Sequence, residues 1–165
     1  MLRFLSRIKA VALDVDGVLT DGAFWWSAEG AELKRFSFLD IMGISRGSKA
    51  GLIFALISGE TSPLLDRYAR KMGIRDVYQG CKDKATALRE FASNHHFELS
   101  EVCFMGDDIN DVPALKLAGF SAAPATAHDC ARDAAKFITK HPGGNGAVRE
   151  LVDLILAGRK TPTDQ

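Results

Sequence analysis

The 165 residues carry 21 Lys and Arg against 21 Asp and Glu, and 47% of the side chains are hydrophobic. A chain of that size can bury a proper core without disulfide staples, and its balanced charge offers no basic field to draw nucleic acid or an anionic membrane, so a small-molecule partner is expected. Cys81, Cys103 and Cys130 form an odd set without Cys-x-x-Cys spacing, which argues for reduced thiols in a cytoplasmic protein rather than a disulfide framework or a zinc site.

Residues 1–9 have scattered basic side chains and no sustained apolar run, so they are read as neither signal peptide nor membrane span. A strand is predicted over about residues 8 to 14, and it runs directly into Asp14-Val15-Asp16-Gly17. Residues i and i+2 of a strand face the same way, so both carboxylates project from its carboxyl end, where Gly17 lets the backbone turn. Two like charges held that close call for a shared proton or cation, and a hard divalent ion such as Mg²⁺ takes carboxylate and carbonyl oxygens. Asp-x-Asp-Gly is also an ordinary polar turn, so the later segments decide between the two.

Thr20 to Ser27, a turn at residues 28–30 and Glu32 to Phe36 suggest a β-hairpin that carries both tryptophans, Trp25 and Trp26. That is more aromatic surface than a small ribbon buries by itself, so the hairpin is expected to pack against another subunit. A helix over 41–50 stops at Gly51, and Leu52 to Ile57 is an apolar run of the kind buried on both faces of a parallel sheet, ending at Ser58-Gly59-Glu60. Further elements are predicted as helix 62–72, strand 76–78, helix 85–94, strand 102–105, helix 112–118, strand 119–122, helix 127–134 and strand 137–138. A Gly-rich turn at His141 to Gly146 precedes a helix over 147–156, and the tail 161–165 reads as frayed. The alternation indicates an α/β fold, a doubly wound parallel sheet occupying 1–165 as a single domain, whose ligand site lies outside the carboxyl ends of the strands.

That rule gathers Asp14, Asp16, Ser58, Asp107 and Asp108 in one place, since each follows a buried strand, and Lys84 enters from a helix start. Acid pair, hydroxyl, lysine and second acid cluster are together what phosphoryl transfer requires: a nucleophile, a bridging metal, and fixed charge around the equatorial oxygens. Taken singly, Ser58 is as good a helix cap and Lys84 as good a solvated charge; the ordered set is more specific than any member. His95, His96 and His128 are assigned to the surface and His141 to a structural role.

These residues resemble the motifs of the haloacid dehalogenase superfamily phosphatases: Asp14 to Thr20 the first, Ser58 the second, Lys84 the third, and Gly106-Asp107-Asp108-Ile109-Asn110-Asp111 the fourth, in family order. Gly143 to Glu150 resembles the C-terminal signature of the 3-deoxy-D-manno-octulosonate 8-phosphate phosphatase subfamily. The resemblance implies a Rossmann-like core in which Asp14 is the nucleophile and Asp16 the general acid and base. It implies Mg²⁺ on the carboxylates of Asp14 and Asp107 and the Asp16 backbone carbonyl. Ser58 and Lys84 would hold the phosphoryl group, and Asp108 and Asp111 would orient the metal shell or Lys84. Neither residues 20–40 nor residues 58–84 have room for a cap domain, and the resemblance implies homotetramers in which neighbouring subunits close each site.

The Gly-rich turn with Arg149 is expected to be a mobile closing segment whose guanidinium suits phosphate or carboxylate. The octulosonate branch usually has Arg where this chain has Glu60 and often Arg where it has Asn145. Relatives acting on nine-carbon acids, such as 2-keto-3-deoxynononate or N-acylneuraminate 9-phosphate, are more similar at Glu60 and Lys71. Those two residues are therefore assigned to substrate, Lys71 across a subunit boundary. The expected activity is hydrolysis of a 2-keto-3-deoxy sugar-acid phosphate of eight or nine carbons. A phosphoacceptor receiver module and a non-catalytic metal- and sugar-binding module are the rivals from other classes, opposed respectively by the motif order and by the intact Asp16.

Overall fold

The computed structural model describes residues 2–160; the expected frayed tail lies outside the described residues. A short helix, α1 (Leu2–Leu5), leads into β1 (Ala10–Leu13), which is buried along its whole length. Its alternate residues feed two cores. Val11 and Leu13 join a cluster with Ile44, Leu56 and Leu151, while Ala10 and Ala12 join another with Phe91, Phe104 and Leu115. A strand covered on both faces needs apolar side chains in both registers, which is why it reads as an unbroken apolar run.

The hairpin follows, reduced to β2 (Trp25–Trp26) and β3 (Glu32–Leu33), an antiparallel pair that forms a sheet of its own. α2 (Phe38–Lys49) starts three residues before the predicted 41 because the Ser37 side chain accepts from the Leu39 amide and caps it there. Next come β4 (Ile53–Ile57), α3 (Pro63–Met72), β5 (Asp76–Tyr78), α4 (Lys84–Asn94), β6 (Val102–Met105), α5 (Val112–Leu117), β7 (Phe120–Ala123), α6 (Asp129–Ala134), β8 (Phe137–Ile138) and α7 (Ala147–Lys160). α7 runs past the predicted end at 156 to Lys160. The interval between Ser58 and Lys84 holds α3 and β5, with no cap domain.

The six longer-range strands form one parallel sheet in the order β5-β4-β1-β6-β7-β8. The apolar faces of α2, α3 and α7 contribute to the first core and those of α4, α5 and α6 to the second, so the sheet is doubly wound as the alternation implies. The chain winds outward from β1 through β4 and β5, then returns to β1's other side with β6. Crossovers therefore diverge at β1, and a crevice opens outside its carboxyl end. In register, Leu13 lies level with Leu56 and Met105, so the loops after β1, β4 and β6 emerge side by side. No helix among the described residues is long and apolar enough to cross a membrane.

Candidate active site

The crevice at the end of β1 is a cleft of about 260 Å³ lined by Asp14, Asp16, Ser58, Glu60, Lys84 and Asp107, with Asp108 and Asn110 at its edge. Asp14 is the first residue past β1 and its amide donates to the Met105 carbonyl of β6 at 2.9 Å, which fixes the base of the loop. Gly17 turns the chain with φ +91°, and a Cβ placed there would stand 1.9 Å from Asp107 Oδ2. Only glycine lets the first loop and the Asp107 carboxylate approach so closely. Buried Thr20 closes the loop by accepting from the amides of Gly17 and Gly22, both at 3.2 Å.

Lys84, at the first turn of α4, is not a solvated helix charge. Its side chain is 2% exposed and its Nζ donates to Asp14 Oδ1 at 2.7 Å and to Asp111 Oδ1 at 2.6 Å. Burial opposes the ammonium charge, but Asp14 and Asp111 outweigh it and hold the Lys84 pKa above its ordinary value. Asp111 is fully buried, and its other oxygen accepts from the amides of Asp107 and Asp108 at 2.9 and 3.1 Å. It therefore locks Lys84 and the fourth-motif loop together. Asp108 caps the short 3-10 turn by accepting from the Ile109 amide at 2.6 Å, so its carboxylate shapes the loop and does not reach Lys84.

Ser58 is buried at the end of β4, and its Oγ accepts from the Glu60 amide at 3.1 Å. The cap of α3 is Ser62 instead, which leaves Ser58 to the cleft. Ligand oxygens of Asp14, Asp107 and Asp111 all lie within 4.8 Å of one another. Burial, together with the charge of Asp111, raises the Asp14 pKa well above the ordinary carboxyl value, and the same causes push Asp107 to about 6. Three carboxylates drawn together with one internal cation leave net negative charge that favours a further cation. Their oxygens are the hard donors Mg²⁺ takes, so the residues fit that ion.

Two residues assigned to substrate, Lys71 across a subunit boundary and Arg149, stand apart from this chain's cleft. Lys71 does not line the cleft of its own chain; its Nζ stands 5.8 Å from the ring of Phe38. Arg149 is likewise absent from the lining, because its Nε donates to Asp153 Oδ2 at 2.7 Å, one helical turn on in α7. The Gly-rich turn also departs from the expected mobile closing segment. Its Gly144 amide donates to the Val18 carbonyl at 2.9 Å, its Gly143 amide to Thr126 Oγ1 at 3.1 Å, and Arg35 donates to the Gly144 carbonyl at 3.2 Å. The turn is packed beneath the first loop rather than standing free over the cleft.

Sequence reasoning missed two residues. Lys34, just past β3, donates to Asp16 Oδ1 at 2.7 Å with its side chain only 7% exposed. A single lysine in a hairpin carries no signal that separates it from a solvated charge; period-2 alternation through Glu32 and Lys34, opposite outward-facing Leu33, was the available clue. Asp40, fully buried in α2, accepts from the amides of Gly146 at 3.1 Å and Arg149 at 3.0 Å and so caps α7 from another helix. Of the histidines, His95 pairs with Asp76 and His141 with Glu150 at 2.9 and 2.6 Å, while His128 caps α6.

Comparison with known proteins agrees with this geometry. Residues 27–151 match the model of the haloacid dehalogenase-like hydrolases. The chain is 37% identical over 151 residues to the 3-deoxy-D-manno-octulosonate 8-phosphate phosphatase of Yersinia pestis, covering 92% of this chain and 81% of that one. It is 36% identical to the enzyme of the same name from Escherichia coli K12, over 92% of this chain and 80% of the relative. Among solved structures, the Moraxella catarrhalis phosphatase of that name, in complex with magnesium, phosphate and KDO, superposes with a TM-score of 0.93 at 38% identity, covering 96% of this chain and 91% of that one. The cobalt-bound Haemophilus influenzae phosphatase gives a TM-score of 0.91 at 35% identity, over 94% and 91% of the two chains. The chain belongs to the haloacid dehalogenase-like hydrolases, on the branch that contains the 3-deoxy-D-manno-octulosonate 8-phosphate phosphatases.

Proposed function

We propose that this protein is a Mg²⁺-dependent phosphoric monoester hydrolase acting on 3-deoxy-D-manno-octulosonate 8-phosphate. The observation that carries the chemistry is the buried Asp14 carboxylate at the floor of the cleft, with Lys84 Nζ at 2.7 Å on one side and the Asp107 carboxylate close by on the other. The substrate rests on relatives of that name at 36–37% identity. The nine-carbon alternative is not favoured, because the named relatives are eight-carbon phosphatases.

Asp14 attacks phosphorus, so that an Asp14 oxygen–phosphorus bond forms as the ester bond breaks, and Asp16 delivers its proton to the departing sugar oxygen. Asp16 then takes a proton from water as that water attacks phosphorus, which frees Asp14, releases phosphate and returns Asp16 to its acid form. Lys84 and Ser58 hold the transferring oxygens; a lysine supplies a point charge that tolerates the changing shape of the phosphoryl group. Asp111 keeps Lys84 aimed, and Asp108 keeps the fourth-motif loop in place. Asp14, Asp107 and the Asp16 backbone carbonyl would hold Mg²⁺, which, when bound, neutralises charge between nucleophile and phosphate. Glu60, at the mouth of the cleft, accepts from sugar hydroxyls.

The assembly belongs to the same proposal. Trp25 and Trp26 are 66% and 71% exposed, and Phe24, Leu33, Phe38, Leu39 and Met42 are also exposed. In the homotetramer we propose, neighbouring subunits cover these side chains, and Lys71, whose Nζ stands 5.8 Å from the exposed Phe38 ring, serves a neighbour's cleft. We read residues 1–165 as one hydrolase domain, and the unbridged thiols of Cys81, Cys103 and Cys130 suit a cytoplasmic enzyme.

Phosphate release from a panel of sugar phosphates, with Mg²⁺ and with chelator, tests this on wild type and Asp14→Asn. Hydrolysis of the octulosonate phosphate that stops with either change is expected. Turnover that survives the substitution would sink the nucleophile, and indifference to that substrate while unrelated esters are cleaved would sink the specificity.

A further inference from the structure

The two carboxylates that follow β1 stand on different cations. Asp14 Oδ1 accepts from Lys84, on α4 in the core, and Asp16 Oδ1 accepts from Lys34, on the hairpin, each at 2.7 Å. The Asp14 side chain is 7% exposed and that of Asp16 33% exposed. Lys34 is the less expected of the two lysines. It sits outside the main sheet on a ribbon of two-residue strands, yet its side chain is only 7% exposed, and Glu32 is its second acidic neighbour at 3.8 Å. An ammonium ion that far from water needs a carboxylate to hold it there, and the carboxylate is held in return.

Asp16 also sits where two cavities meet. It lines the cleft that holds Asp14 and a second cavity of about 420 Å³ on the hairpin side, which Phe24, Trp26, Glu32, Lys34 and Glu60 also line. Left to itself, an Asp16 side chain at that junction has rotamers that turn it towards either space. Lys34 removes the choice.

We propose that Lys34 is a positioning residue for proton transfer: by engaging Asp16 Oδ1 it leaves Oδ2 to carry the proton to and from the reacting oxygen, and it keeps Asp16 off the cation that serves Asp14. Two residues of like chemistry, two positions apart in the loop after β1, acquire separate duties because two lysines from separate parts of the fold sort them. The consequence is specific to a chain without a cap domain. The group that aims the acid and base comes from the hairpin, so whatever seats the hairpin also sets proton transfer. This inference rests on the phosphatase chemistry proposed above, and its test separates the two.

Single-turnover phosphoryl transfer is measured with enzyme in excess and Mg²⁺ present, on wild type, Lys34→Met, Lys34→Arg, Asp16→Asn and the Lys34→Met/Asp16→Asn double variant. Two esters are compared: the octulosonate 8-phosphate, whose alkoxide needs a proton to leave, and p-nitrophenyl phosphate, whose phenolate does not. Lys34→Met is expected to slow transfer from the alkyl ester about 100-fold, within the range for one positioned acid, and from the aryl ester less than about 5-fold. Asp16→Asn should show the same contrast, the double variant should be no more than about 2-fold worse than Asp16→Asn, and Lys34→Arg should recover part of the loss.

Equal losses on both esters, a raised KM at unchanged kcat, or a Lys34→Met effect that multiplies that of Asp16→Asn would each overturn the assignment. Lys34→Arg keeps the charge and remains informative if Lys34→Met fails to fold: a loss confined to the alkyl ester in Lys34→Arg, or none on either, supports a positioning cation, and an equal loss on both esters contradicts it. If wild type hydrolyses neither ester, or Asp14→Asn hydrolyses both, the phosphatase chemistry itself fails and Lys34 loses its role with it.

Discussion

A Cβ on Gly143 would lie 1.8 Å from the carbonyl oxygen of Gly17. The turn before α7 is thus wedged directly beneath the loop that carries Asp14 and Asp16, although the two segments lie at opposite ends of the chain.

Gly143→Ala follows from that contact. The obstacle is backbone, which cannot rotate aside, so the first loop has to move and take the catalytic pair with it. A loss of about 2 kcal/mol in stability is expected, together with a loss of about 100-fold in turnover from misplacement of the reacting groups. Denaturant unfolding and phosphate-release kinetics on the same variant check both.

Lys84→Met should be destabilising as well as inactive. It leaves Asp14 and Asp111 buried without their shared cation, and breaking a buried pair in this way costs about 3–5 kcal/mol. Urea unfolding in chelator measures it; a variant as stable as wild type would contradict the internal ion pairs.

The acid cluster makes stability depend on pH and metal together. In the folded, metal-free protein, burial and neighbouring carboxylates raise the Asp107 pKa from the ordinary 3.8 to about 6. The folded state therefore binds this proton more tightly than the unfolded one. The resulting stabilisation is fully present below 3.8 and is lost as pH rises through about 6. Thermal unfolding in chelator should give a higher Tm near pH 5 than near pH 7 so far as this group is concerned. Mg²⁺, competing with that proton, should raise Tm more at pH 7 than at pH 5.

Asp40→Ala removes the acceptor for the Gly146 and Arg149 amides inside the core. Stranding buried donors and losing the cap of α7 should cost about 2 kcal/mol. Hydrogen exchange should rise first in residues 146–150.

Replacing the exposed ring pair, Trp25→Ser with Trp26→Ser, tests the assembly. Light scattering should show the mass fall from that of a tetramer to a smaller species, with KM for the sugar phosphate rising as each cleft loses its neighbour. A wild-type protein that is already monomeric would remove the shared-site idea.

The sequence by itself determined the sheet and the site's inventory. Strands buried on both faces must be apolar in both registers, which made β1, β4 and β6 legible, and carboxylates, a hydroxyl and a lysine at their carboxyl ends are too costly to collect without a use. Tertiary structure alone decided which group each side chain serves. Lys34 and Asp40 look like ordinary charges until folding brings Asp16 and the α7 amides within hydrogen-bond reach, whereas the pairing of Arg149 with Asp153, four residues apart in a predicted helix, was already legible in the spacing. The Gly-rich turn, read as a closing segment, proved to be the support under the first loop, because close backbone packing between distant segments leaves no mark in a sequence beyond the glycines that permit it.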